Sequence, residues 1–344
     1  MSELYSKAQH MSVAELQSWL PLMDRARVAI IGDLCLDVYW DADMKKSEIS
    51  RETPHHPLPV VGERYSPGGA SNAAANIKAL EPASLAVIGV IGRDWRGAML
   101  KDALAKHGIT SEYIVEDGER VTNTYIKPMR HGISDVVYED PRIDFENYLP
   151  LSKQTEDKLI ASLERAAEAA DVICVSDQLK WGCITERVRE RICELGAGGK
   201  TVIVDSRDRG ALYHHVTLKP NEVEASRAFG DGSELTVDAL AELARGIAKK
   251  NGRVTLTTLG PNGCFVADGD RVTLCPACSV EPPIDFCGAG DTFLSGFSVM
   301  LAIGASAVDA ARVANLCSAV TIKKIGITGT ATRKELLELC EKMN

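Results

Sequence analysis

Asp285-Phe286-Cys287-Gly288-Ala289-Gly290-Asp291-Thr292-Phe293-Leu294-Ser295-Gly296 places three small residues ahead of a carboxylate and an apolar stretch whose pattern predicts a helix over 292–303. The first turn of a helix has no preceding carbonyls to bond, so its N–H groups are left open at the positive end of the helix dipole. That combination favours an anion. Gly288 and Gly290 carry no side chain, so a phosphate can come close to the backbone. Asp291 would repel such an anion as a ligand. It makes chemical sense as a base that takes a proton from an attacking hydroxyl while the N–H groups of Gly288, Ala289 and Gly290 hold the transferring phosphoryl group. An ordinary glycine-rich helix start with Asp in its first turn fits the same residues, so the rest of the chain has to arbitrate.

The 344 residues have room for one large α/β domain or two small ones. With 45% hydrophobic and 25% charged residues, the composition is that of a soluble globular protein. A net charge of −9 argues against a nucleic-acid surface or an anionic membrane as partner, though not against small anionic ligands. The N-terminus shows no signal-peptide pattern, and no apolar run approaches the roughly 18 residues of a membrane span. Ten cysteines without regular spacing predict reduced thiols and a cytoplasmic protein. Cys275 and Cys278 form the one close pair, and no second pair lies nearby to complete a zinc site.

Outward from the opening stretch, the pattern predicts a leading helix over 12–25, a buried strand over 27–32, an Ala-rich helix over 71–80, a strand over 85–92 and a helix over 95–107. Strands over 172–176, 201–205, 216–219 and 254–259 alternate with helices near 185–195 and 235–250. This alternation predicts an α/β fold with a doubly wound, mostly parallel sheet flanked by helices, in which ligands sit at the carboxyl ends of strands. Asp33, Asp177, Asp205 and Asn221 each follow an expected strand end. Segments 36–62 and 120–146 alternate apolar and polar residues and read as a small add-on sheet. No low-complexity linker divides the chain, so one domain over 1–344 is expected.

Three further stretches carry chemistry. Pro67-Gly68-Gly69-Ala70-Ser71-Asn72 opens a helix where the backbone can approach a sugar, and Asn72 offers donor and acceptor to hydroxyls; a plain turn is the simpler reading. Asp33 and Asp37 leave the first strand and suit vicinal hydroxyls, as they also suit turn chemistry. Asn221 and Glu224 put two oxygen-bearing side chains on one helix face, which suits a water-rich Mg²⁺ shell and equally a capping box. There is no Gly-x-x-x-x-Gly-Lys-Ser/Thr, nor an intact Gly-x-Gly-x-x-Gly after the first strand.

Taken in order, Gly68-Gly69-Ala70-Ser71-Asn72 and Asp285 to Asp291 resemble the two signatures of the ribokinase-like (PfkB) carbohydrate kinase family, over about residues 27–340. Narrower stretches resemble its heptose-7-phosphate kinase branch: Gly32-Asp33-Leu34-Cys35-Leu36-Asp37-Val38-Tyr39-Trp40, Ser50-Arg51 through Pro59-Val60-Val61, Arg142-Ile143-Asp144-Phe145-Glu146, and Ser176-Asp177 through Lys180 to Gly182. The resemblance implies a ribokinase-like fold with a β-sheet lid and an ATP-dependent phosphotransferase whose base is Asp291. It implies that Asp33, Asp37, Gly68, Gly69 and Asn72 meet the sugar, and that Arg51, Lys127, Arg142 and Lys180 bind a phosphate already on it. Asn221 and Glu224 would organise Mg²⁺ through water. Thr258, Gly260 and Gly263 would lie by the ATP, Asn315 by its adenine, and Asp285 at a K⁺ site. A homodimer through the lid is expected.

Phe286 and Cys287 stand where relatives usually have small or hydroxyl residues, and Gln178, Leu179 and Trp181 also depart from the branch. With no His-x-Gly-His motif, only the kinase step is expected. The competing readings are a kinase for an unphosphorylated sugar or nucleoside, and a sensor that keeps the fold; a pure binder would not need the base.

Overall fold

The computed structural model describes residues 4–132, 134, 136–230 and 236–343. Position 235, the expected start of the 235–250 helix, and positions 133 and 135 of the expected lid lie outside the described residues.

After a short strand β1 (Ser6–Lys7) and helix α1 (Val13–Trp19), strand β2 (Arg27–Gly32) enters the core. Two strands then leave it, β3 (Leu34–Asp43) and β4 (Val60–Gly69). The chain returns through α2 (Ala70–Ala79), β5 (Ser84–Gly92), α3 (Trp95–Lys106) and β6 (Ile114–Asp117), and goes out again as β7 (Asn123–His131), β8 (Val137–Glu139) and β9 (Ile143–Phe145). Helix and strand alternate from there: α4 (Lys153–Ala169), β10 (Val172–Asp177), α5 (Glu186–Ala197), β11 (Thr201–Ser206), β12 (Thr217–Leu218), α6 (Glu222–Phe229), α7 (Val237–Asn251) and β13 (Thr255–Thr258). A hairpin, β14 (Cys264–Asp268) and β15 (Arg271–Cys275), precedes α8 (Ala289–Ala302), α9 (Ala307–Thr321) and α10 (Arg333–Met343).

Among the described residues the large sheet has the order β1-β15-β14-β13-β12-β11-β10-β2-β5-β6, parallel except where β14 pairs with β13 and β15. Side chains alternate between its faces. Val28, Ile30, Cys174 and Ile203 face the helices α2, α8 and α9, whereas Ala29, Ile31, Ile173 and Val204 face α4 and α5. Cover on both faces explains why these strands read as continuous apolar runs. The second sheet has the order β4-β3-β7-β8, with β9 also on β7. Among the described residues, no helix is long and apolar enough to cross a membrane.

Several boundaries differ from the sequence expectation. The leading helix stops at Trp19 and continues as a 3₁₀ segment, Leu20–Arg25, because Pro21 has no N–H to extend the α-helical ladder. The small sheet is longer at both ends than 36–62, since β3 starts at Leu34 and β4 runs on through Pro67-Gly68-Gly69. Those glycines are therefore strand as well as helix entry, and Pro67 is tolerated because β4 lies at the sheet edge. The hairpin 264–275 and edge strand β1 extend the large sheet beyond 254–259.

Helix α8 begins at Ala289, three residues earlier than expected, so Ala289-Gly290-Asp291 is its first turn. Its buried Phe293, Leu294, Phe297 and Met300 drive it into the core. A side chain at Gly296 would meet Cys317 Sγ at 2.7 Å, so the glycine sets how closely α8 and α9 pack.

Candidate active site

The carboxyl ends of the parallel strands and one face of the small sheet enclose a cleft of about 920 Å³. Helix α8 points its N-terminus into this cleft. Gly288 is the N-cap with φ +77°, a left-handed conformation that glycine adopts without strain. A Cβ there would also sit 2.8 Å from Asn72 Nδ2. The N–H of Ala289 donates to the carbonyl of Phe286 at 3.1 Å, so it is not available to an anion. Among the described residues, the N–H groups of Gly288 and Gly290 have no such partner and remain open.

Asp291 follows on the first turn, partly open to the cleft. Burial is the main cause that pushes its carboxyl up to about 7. Asp205 and Asp37 push in the same direction, and the Asn72 hydrogen bond and Lys219 oppose them. Asn72 Nδ2 donates to Asp291 Oδ2 at 2.8 Å. Asn72 is itself fixed, because Asn76 Nδ2 donates to its Oδ1 at 3.3 Å and Thr292 Oγ1 donates to Asn76 Oδ1 at 3.2 Å. A carboxyl that ionises near neutral pH beside open N–H donors is equipped to accept a proton next to a bound anion.

Asp37, Gly69, Asn72, Lys127 and Arg142 line the same cleft. Asp37 is buried, which raises its carboxyl, while Lys127 and Arg142 act against the rise. Lys127 Nζ donates to Tyr39 Oη at 3.1 Å, and Arg142 pairs with Asp144 at 2.6 Å and lies 4.4 Å over the Tyr125 ring. These two cations lie on the small-sheet side of the cleft, apart from Arg207 and Lys219, which line it from the large sheet.

Asn221, Glu224, Thr258, Gly260, Gly263 and Asn315 also line it. The capping box at Asn221 and Glu224 is present: Glu224 N–H donates to Asn221 Oδ1 at 2.8 Å and Asn221 N–H to Glu224 Oε2 at 2.9 Å. One carboxylate oxygen of Glu224 stays available to a water-bound cation. Asn315 Nδ2 donates to the carbonyls of Cys275 and Pro276 at 3.1 and 3.0 Å, so it shapes the wall at 275–277. Gly263 leaves no room for a Cβ, which would lie 2.1 Å from Cys275 O.

Other expected site residues are placed elsewhere. Asp33 is buried below the cleft, where its carboxylate accepts the N–H groups of Gln178, Leu179 and Cys183 at 2.9, 2.7 and 2.7 Å. Both oxygens are used in folding, so Asp33 is an anchor rather than a sugar ligand. Asp177 is likewise buried and bound by Arg209. Gly68 does not line the cleft; it backs the Asp37 carboxylate, which a Cβ there would approach to 2.9 Å. Arg51 is exposed on the segment between β3 and β4, and Lys180 packs on the Trp181 ring at 5.4 Å; neither lines the cleft. Asp285 bonds the N–H groups of Cys287 and Gly326 at 2.9 Å each, so both of its oxygens hold the loop before α8. Among the described residues no cluster of three His, Cys, Asp or Glu side chains could hold a metal, Cys275 and Cys278 included.

Sequence reading missed Lys219. It is 4% exposed, lines the cleft and pairs with Asp205 at 2.8 Å. Burial works against its charge, but Asp205, together with Glu224 and Asp291, outweighs burial and holds its ammonium above the usual range. The signal was a lysine at the end of a buried strand, immediately before Pro220-Asn221.

A model of the pfkB family carbohydrate kinases matches residues 25–334. "Bifunctional protein HldE" of Azorhizobium caulinodans is 33% identical over 323 residues, covering 92% of this chain and 65% of that protein. The protein of the same name from Geotalea uraniireducens is 34% identical over 330 residues, covering 94% and 64%. The chain thus spans under two thirds of the length of these relatives. Phosphofructokinase-2 from Escherichia coli in complex with substrates and products has the same fold, with a TM-score of 0.72 at 18% identity, covering 93% of this chain and 99% of that one. Arabidopsis thaliana ribokinase complexed with ribose and ATP gives a TM-score of 0.68 at 19% identity, covering 92% and 99%.

Proposed function

The chain belongs to the pfkB family of carbohydrate kinases, and from that premise we propose that it transfers the γ-phosphoryl group of MgATP to a hydroxyl of a sugar phosphate, with a heptose 7-phosphate as the favoured acceptor and its anomeric hydroxyl as the nucleophile. The observation that carries this reading is Asp291, held by Asn72 at 2.8 Å beside the open N–H groups of Gly288 and Gly290. The stretches that resemble the heptose-7-phosphate kinase branch, Gly32 to Trp40 and Arg142 to Glu146 among them, favour a heptose phosphate over other acceptors.

In the proposed reaction the acceptor lies against Asp37, Gly69 and Asn72. Its phosphate meets Lys127 and Arg142, the two cations on the small-sheet side of the cleft. Asp291 accepts the hydroxyl proton as the oxygen attacks the γ-phosphorus and the bond from that phosphorus to the bridging oxygen breaks, leaving ADP; the base contributes ~10²–10⁴ in rate. Gly288 and Gly290 donate to the oxygens of the transferring group, and positioning supplies most of the rest. Nucleotide lies along Thr258, Gly260, Gly263 and Asn315. Mg²⁺, held through water at Glu224 and Asn221, would neutralise phosphate charge. The small sheet acts as a lid that excludes water, and two copies pair through it in the cytoplasm. No K⁺ is assigned to Asp285, both of whose oxygens already hold the loop before α8.

ADP release from MgATP is measured across heptose 7-phosphate, fructose 6-phosphate, fructose 1-phosphate, ribose and adenosine, with Asp291→Asn as control. Turnover confined to phosphorylated sugars and lost in the variant supports the reading. Turnover on ribose or adenosine alone, or turnover retained in the variant, would overturn it.

A further inference from the structure

Residues 276–288 join β15 to α8 and deliver the glycines and Asp291 to the cleft. No side chain from 281 to 288 is buried, so apolar packing does little to fix this approach. Polar bonds to the end of α9 fix it instead. The N–H of Asp285 donates to the carbonyl of Ile322 at 2.8 Å, which satisfies one of the carbonyls left open where a helix ends. The N–H of Gly326 donates back to Asp285 Oδ2 at 2.9 Å. One turn earlier on α9, Ser318 Oγ donates to the carbonyl of Ala289 at 3.1 Å. Lys323 completes the set, because its Nζ donates to the carbonyls of Glu281 and Pro283 at 2.7 and 3.3 Å.

Backbone carbonyls that converge on one point, outside a helix or sheet ladder, are the ligands a monovalent cation accepts in place of water. An ammonium is a compact charge of the same sign that meets the same oxygens through its hydrogens. Lys323 also stands just past the C-terminus of α9, where the helix dipole favours a positive charge. The family resemblance implies a K⁺ site at Asp285, and the residues present do not fit a separate ion there. Both Asp285 oxygens are bonded to N–H groups, and a covalently held cation already spans the carbonyls of the segment before it.

We infer that Lys323 is a positioning residue that takes the place of a bound monovalent cation. Its ammonium ties segment 281–288 to the end of α9 and so sets the N–H groups of Gly288 and Gly290 without K⁺. Lys323 does not line the cleft and acts only through this segment. The inference rests on the kinase reading solely for what those N–H groups bind.

Amide hydrogen exchange of the full chain without ligand tests it, in KCl and in tetramethylammonium chloride, each at about 0.1 M so that screening is equal. In the wild type the amides of Asp285 and Cys287 are expected to be protected alike in both salts. Lys323→Met should speed their exchange about fivefold in tetramethylammonium, the scale of one hydrogen bond to a charged group at an exposed site, and K⁺ should restore part of the protection. Lys323→Arg keeps a cation and should match the wild type in both salts. Calorimetric MgATP affinity should follow the same order: independent of the salt in the wild type, and about fivefold weaker for Lys323→Met in tetramethylammonium than in KCl. Three results would each overturn the inference: wild-type protection that rises with K⁺, Lys323→Met exchange equal to wild type in tetramethylammonium, or a loss in Lys323→Met that is the same in both salts. Exchange is read with neither nucleotide nor acceptor present, so a protein that binds no MgATP would refute the kinase reading while the exchange data still decide this one.

Discussion

Asn72 on α2 and Asp291 on α8, 219 residues apart in sequence, are joined by a 2.8 Å hydrogen bond from Nδ2 to Oδ2. The bond connects the two glycine-rich helix starts and fixes the carboxylate beside the open N–H groups of the second. It also holds down a carboxyl that burial would otherwise raise further.

Asp291→Asn should reduce turnover by at least ~10²–10⁴ while leaving MgATP affinity nearly unchanged. It should also stabilise the protein at neutral pH. The folded carboxyl titrates above its unfolded value of about 4, so ionising it weakens the fold as pH rises from about 4 to 7. The Tm gain of the variant, roughly 2–4 °C, should therefore be present at pH 8 and absent near pH 4. Calorimetric scans at the two values check it.

The pH profile of kcat/KM follows from the same group. A base with a raised value is protonated and inactive below it, so activity should be full above about 7 and fall toward a tenfold loss per unit below it. Asn72→Ala removes a group that lowers the value, so the acid limb should move to higher pH. A limb that stays in place or moves to lower pH would assign it to another group.

Gly288→Ala places a Cβ 2.8 Å from Asn72 Nδ2 at a backbone φ of +77°. The conformation alone costs about 1–2 kcal/mol for an L-residue. Displacing Asn72 should then lower kcat more than MgATP affinity, as read from steady-state kinetics and a thermal melt.

Lys219→Met would leave Asp205 buried without its partner. Losing one side of a buried pair costs about 3–5 kcal/mol, so denaturant unfolding should show a large loss of stability. The double variant Lys219→Met with Asp205→Leu should recover part of that loss.

Lys127→Met and Arg142→Met should each weaken a phosphorylated acceptor by tenfold or more and leave ribose binding unchanged, whereas Arg51→Ala and Lys180→Ala should change neither. The contrast follows from which side chains line the cleft. Calorimetry on fructose 6-phosphate and ribose reads it directly.

The alternation of apolar strands with helix-length segments was enough to predict the parallel sheet, because strands covered on both faces must be apolar along their whole length. The glycines and Asp of 288–291 were legible for a related reason: few residue types suit an open helix start with a base on it. The ends of elements were less legible. Helix α8 starts at Ala289 because Gly288 adopts a left-handed cap, and β4 runs through Pro67 because its edge position spares it a ladder bond; neither depends on local sequence alone.

What each carboxylate does was decided by tertiary structure. Asp33, Asp177 and Asp205 stand at or just after strand ends and Asp37 lies within β3, and the local pattern gives no ground to tell which of the four the fold itself consumes. Packing does so: Asp33 meets three N–H groups and Asp177 meets Arg209, which makes them anchors, whereas Asp37 and Asp205 face the cleft. Lys219 was passed over for the same reason, since the Asp205 that keeps it charged in the interior lies on a neighbouring strand. Sequence determined the fold and the chemical residues at hand; the partners that assign their roles are non-local contacts that form only when the sheet closes.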